Sequence, residues 1–162
     1  LGGTGLGADT IEVAADAQVE LTADQLDALN ATLTVAEGDS ADLLVTDVAD
    51  GDTLTATDLV DTFDVSGLIT DGDTAQIDGL AADDVISTGV TFDVNEPEPV
   101  ADGSDTGNTF QWIFEDEPDT LTYETADGTE TGDNAVTTIT LTGVASVTEA
   151  NGDFTIASLD AA

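Results

Sequence analysis

The sequence contains no lysine, arginine, histidine, cysteine or methionine, and its 162 residues carry 36 acids and a formal net charge of -36. Each absence excludes a class of chemistry. Without cysteine or histidine there is no thiol nucleophile, no Ser–His pair, no imidazole base and no zinc site of the Cys/His kind. Without lysine or arginine, phosphate recognition loses its usual partners, and nucleic acids and anionic membrane surfaces are repelled. Carboxylate pairs of the glycosidase type remain as acid/base candidates. With 36 carboxylates, however, such pairs arise by chance and single out no residue. The reading is of a noncatalytic protein.

No side chain can form a salt bridge with these acids. Two carboxylates about 4 Å apart repel by about 1 kcal/mol even in bulk water. Folding must therefore take cations from solution or raise some carboxyl pKa values. Oxygen-rich surroundings favour hard cations, and Ca²⁺ is the expected one. Hydrophobic residues make up 40% of the chain, which argues for a folded domain with an acidic shell over a disordered acidic tail. No apolar run is long enough to span a membrane as a helix. The sequence starts at Leu1 without a signal-peptide pattern and reads as a processed product or a part of something longer.

Residues 1–94 look repetitive. A strand-like "QVEL" precedes "TADQLDAL", and a second strand-like run, "ATLTV", follows. Thr22 and Gln25 form a capping-box pattern at the start of one short helix, with Leu21, Leu26 and Leu29 on its apolar side. Related units recur at 52–65 ("DTLTATDLVDTFDV") and 75–94 ("AQIDGLAADDVISTGVTFDV"). This pattern predicts stacked β-rungs with short helical crossovers, or an irregular β-sandwich. Residues 95–102 form a Pro- and acid-rich boundary, since proline fixes φ and removes a donor. Residues 103–162 read as an antiparallel β-meander or sandwich, with Asn151-Gly152 suited to a hairpin turn.

Acid-Gly-acid turns are the candidate metal sites. They supply Asp47, Asp50, Asp52, Asp71, Asp73, Asp102, Ser104, Asp105, Asn108, Asp127 and Asp133. Calcium loops need several oxygens converging through a tight turn, which glycine permits. Neither longer candidate is an EF-hand, because Ile113 and Thr138 stand where a closing acid is required. Acid-Gly pairs also populate ordinary turns. In "NTFQWIF", strand alternation puts Phe110, Trp112 and Phe114 on one side. That stripe reads as core, or as an interface with an identical neighbour.

"LGGTGLGADTI" resembles a degenerate Gly-Gly-x-Gly-x-Asp repeat of calcium-binding RTX proteins, with one residue more before Asp9. "LTADQLDALNATLTV" and "DDVISTGVTFDV" resemble the Leu/Ala/Asp/Thr/Val repeats of giant bacterial type-I-secreted adhesins and S-layer proteins. The resemblance implies an extracellular or cell-surface, calcium-dependent structural module. Two alternatives stand beside it. One is an adhesin domain whose Trp112 meets a cell-surface glycan; the other is a halophile surface protein with a salt-binding acidic shell. The expected partners of the leading reading are copies of the chain or neighbouring repeats.

Overall fold

The computed structural model describes residues 9–29, 31–37, 39–68, 72–89, 111–115, 120–124 and 135–160. The chain is mainly β, in several sheets of mixed orientation. Its first half contains β1 (Asp9–Val13), β2 (Gln18–Thr22), α1 (Ala23–Asp27), β3 (Ala31–Val35), β4 (Asp42–Thr46), β5 (Asp52–Thr55), β6 (Val60–Asp64), β7 (Asp73–Asp78) and β8 (Val85–Ser87). Its second half contains β9 (Gln111–Glu115), β10 (Thr120–Glu124), β11 (Ala135–Leu141), β12 (Val144–Ala150) and β13 (Asp153–Leu159).

Successive strands of the first half alternate between two layers. One layer is a six-stranded sheet of order β12-β13-β8-β6-β4-β2. The other comprises a two-stranded sheet, β1-β3, and a five-stranded sheet, β5-β7-β11-β10-β9. Each rung is one strand from each layer: β1–β2, β3–β4, β5–β6 and β7–β8. The rungs stack in parallel, with Gln18 opposite Asp42, Asp42 opposite Val60 and Thr62 opposite Val85. No single rung could bury its apolar side alone, which is why the stack is the folding unit.

Period-2 alternation builds the core between the layers. Leu43 and Val45 of β4, Phe63 of β6, Ile77 of β7, Ile86 of β8, and Phe154 and Ile156 of β13 are all buried within one hydrophobic cluster. Each such side chain contributes roughly 1.5–3 kcal/mol of burial. Apart from two buried acids, Asp61 and Asp84, the acids whose burial is described are exposed or half-buried.

The second half is woven into the first. β11 pairs in parallel with β7, and β13 pairs antiparallel with β8. The buried Thr137 hydroxyl donates to the Leu68 carbonyl at 2.9 Å, and the Thr88 hydroxyl to the Gly152 carbonyl at 2.7 Å. Strands from both sides of the 95–102 stretch thus share two sheets, while that stretch itself lies outside the described residues. β9, β10 and β11 form the expected antiparallel meander. Asn151 (φ 57°) and Gly152 (φ 88°) turn the chain between β12 and β13, as hairpins with positive φ at both turn positions require.

The capping box at α1 is present. Thr22 N donates to Gln25 Oε1 at 2.9 Å, and Gln25 N donates to Thr22 Oγ1 at 3.3 Å. Leu26 is buried, with Leu21 and Leu29 half-buried. The three similar sequence units are not structurally equivalent, however. β2–α1–β3 crosses out of the six-stranded sheet, whereas β5–β6 and β7–β8 cross into it. Alternating strands around a Thr/Ala/acid turn look alike in either direction, so the sequence pattern does not reveal the phase of the winding.

Candidate functional site

The acidic turns of adjacent rungs meet where β5 and β7 begin. Asp50 lies in the turn before β5, and its Oδ1 accepts from Thr74 N at 2.9 Å and from Thr74 Oγ1 at 3.3 Å. Gly51 N donates to the Thr74 carbonyl at 2.7 Å. Asp52 Oδ2 accepts from Ala49 N at 2.8 Å. Register sets Asp52 opposite Ala75, which brings Asp50, Asp52 and Asp73 to one side of neighbouring turns. Asp47 sits before them with φ 58°, a left-handed conformation that Asp tolerates better than most residues.

These side chains already have work in the fold, since Asp50 clamps one rung to the next and Asp52 closes its own turn. Among the described residues, no three His, Cys, Asp or Glu side chains converge so as to hold a metal ion. Asp71, Asp102, Ser104, Asp105, Asn108, Asp127 and Asp133 lie outside the described residues, as does Phe110. Phe114 is buried in the core at 3% exposure. Trp112 occupies β9 opposite Tyr123.

A second acidic feature was not anticipated from the sequence. Asp61 and Asp84 are both fully buried. Asp61 accepts from Thr57 N and, at 2.8 Å, from Thr57 Oγ1. Its own N–H donates to Asp84 Oδ1 at 2.9 Å, and Asp84 Oδ2 accepts from Ala81 N at 2.8 Å. Ile156 N then donates to the Asp84 carbonyl at 2.8 Å, which ties β13 to the same point. Burial pushes the Asp61 carboxyl up to about 6 against the lowering effect of the Thr57 hydrogen bonds, with the charges of Asp84 and Asp58 adding to the rise. Burial likewise raises Asp84, opposed by its bonds to the Asp61 and Ala81 backbone and assisted by Asp83.

One signal for this pair exists in the sequence. In "DTFDV", the inward positions set by Phe63 and Val65 recur at Asp61, two residues earlier, so period 2 turns that acid inward. Half-buried Asp78 shows the opposite behaviour. Hydrogen bonds from the Thr142 side chain, then from Gln76, hold its carboxyl below the usual range.

The layers also differ in continuity. β4 pairs with β6, but their rung partners β3 and β5 do not pair. A cleft of ≈ 370 Å³ opens at this break, lined by residues that include Leu26, Asp27, Leu33, Thr53, Thr55 and Asp58. α1 packs beside it against β2, β4 and β5. The polar groups of the cleft are threonine hydroxyls and two carboxylates, which suit water and cations. Its lining offers no aromatic platform for a sugar.

Among the described residues, no helix is long and apolar enough to cross a membrane. Comparison with protein-family models, curated proteins and solved structures finds no match.

Proposed function

We propose that this chain is a noncatalytic extracellular structural module that builds a calcium-stabilised fibre, surface layer or adhesin stalk. The observation that carries the reading is a parallel stack of β-rungs in a chain with 36 acids and no cationic side chain. A stacked architecture stabilises each rung through its neighbours and extends by repetition. Its surface charge opposes that extension unless cations enter. Calcium accepts carboxylate, hydroxyl and carbonyl oxygens in flexible geometry. In this account the ions are held by carboxylates shared between turns or between neighbouring copies.

The test is thermal unfolding in millimolar CaCl₂, in KCl of matched ionic strength, and after chelation. The proposal expects a higher melting temperature in calcium than in matched KCl, reversed by the chelator. Equal stabilisation by both salts would instead identify a general salt-binding shell, since screening depends on ionic strength alone.

A further inference from the structure

Among the described residues, β1 and β2 end the two layers on one side, and β9 and β12 end them on the other. We infer that copies of this chain add head to tail along the stack, with the β2 edge of one copy pairing in parallel with the β12 edge of the next, so that the six-stranded sheet continues from copy to copy. This deepens the structural reading proposed above and rests on it.

Strand direction is the first argument. β13 runs antiparallel to β8 and β12 antiparallel to β13, so β12 runs in the sense of β8, β6, β4 and β2. β11 is parallel to β7, β10 antiparallel to β11 and β9 antiparallel to β10, so β9 runs in the sense of β7 and β5. β1 and β3 run parallel to each other, and β1, β3, β5 and β7 each feed the next strand of the six-stranded sheet through a connection of four to six residues. A simple translation of one copy therefore sets β2 of one copy parallel to β12 of the next, as the internal rungs are. A two-fold arrangement would not extend, whereas this heterologous one is open and forms a filament.

Edge chemistry is the second argument. Asp42 N donates to the Ala17 carbonyl, so alternation directs the backbone groups of Gln18 and Glu20 away from β4, toward the open side. The β12 register shifts between Val144 and Val147 and is regular from Val147 to Ala150, which leaves a smooth segment for a partner. No proline or lysine guards any of the four edges, although such residues are common protection against pairing. Among the described residues, the exposed large hydrophobic residues are Ile11 (38%) on the end strand β1 and Leu159 (45%) on β13, beside the end strand β12. Acids meet at the junction too: Glu20 from one copy and Glu149 from the other. Their repulsion makes the contact dependent on cations.

The experiment compares polymer formation in calcium by electron microscopy and pelleting. Glu20→Pro removes an outward N–H and leaves the β4 ladder intact; Glu20→Gln removes the charge and keeps the N–H. Glu20→Pro is expected to lose polymer when alone. Mixed substoichiometrically with the unaltered chain, it is expected to shorten filaments, because it can still join through its β12 edge and then blocks growth. Glu20→Gln should polymerise at least as well as the unaltered chain. Since the chain has no cysteine, Glu20→Cys modified after folding with a bulky maleimide gives the same block without depending on how a proline variant folds. Normal polymer from both blocked forms would overturn this inference while leaving calcium-dependent assembly standing. An unaltered chain that never polymerises in calcium would overturn both.

Discussion

The backbone N–H of Asp61 donates to the carboxylate of Asp84 at 2.9 Å, linking the start of β6 to the residue that precedes β8. Both side chains are fully buried in a chain that has no cationic side chain to pair with them. Backbone N–H groups and one hydroxyl supply the donors that charged partners provide in other proteins. The arrangement fastens two neighbouring rungs and β13 at one point.

This pair makes stability depend on pH in a defined direction. Asp61 titrates at about 6 in the folded chain against a usual 3.8, so the folded state binds its proton more tightly than the unfolded state does. Its contribution is fully present below 3.8 and is lost as pH rises through about 6. A difference of about two units corresponds to on the order of 3 kcal/mol, and Asp84 acts in the same direction. Urea unfolding should show greater stability near pH 5 than near pH 8. Asp61→Asn should flatten that dependence and raise stability at the higher pH. Asp61→Ala should lower it by about 1–3 kcal/mol, because the Thr57 N–H loses its partner.

Gly89 should be intolerant of any side chain. Its φ is +67°, and a Cβ there would sit 2.6 Å from the Cβ of Ser66. Gly89→Ala combines left-handed strain with a clash and should destabilise by about 2 kcal/mol or more. Gly51→Ala meets nothing within 4 Å at φ +85° and should show only the backbone part, about 1–2 kcal/mol. Denaturant midpoints of the two variants, compared with the unaltered chain, check the difference.

The capping box offers a smaller effect. Thr22→Ala removes the acceptor for Gln25 N and should cost about 1 kcal/mol. Because α1 packs against β2, β4 and β5, hydrogen exchange should rise in these segments before global unfolding.

Much of the fold was legible in short-range patterns. Thr22 and Gln25 marked the helix start, and Asn151-Gly152 marked the last hairpin. Alternation in "TFDV" carries the signal for the buried Phe63 and Val65. What local pattern could not convey was which strands pair. The parallel joining of β11 to β7 spans a long stretch of chain and leaves no trace in the residues on either side. The buried aspartates were obscured for another reason: with 36 acids in the chain, composition gives no cue to the two that point inward. The turn acids Asp50 and Asp52 were legible as a cluster, yet their hydrogen bonds to Thr74 and Ala49 depend on the packing of one rung on the next.

Ile11 and Leu159 separate folding from assembly. Ile11 on the end strand β1 and Leu159 on β13, beside the end strand β12, are both exposed, so Ile11→Ser and Leu159→Ser should change the stability of the chelated, unassembled chain by no more than about 0.5 kcal/mol. Both should weaken polymer formation in calcium. Phe63→Ala, at a site with no exposure, should instead destabilise the chain itself by about 3–5 kcal/mol.

The most direct measurement is sedimentation of the unaltered chain in millimolar CaCl₂ and in KCl of matched ionic strength. Calcium-dependent structural assembly predicts large, chelator-reversible species in CaCl₂ and a single 16.4 kDa species in KCl. One 16.4 kDa species in both salts would contradict it.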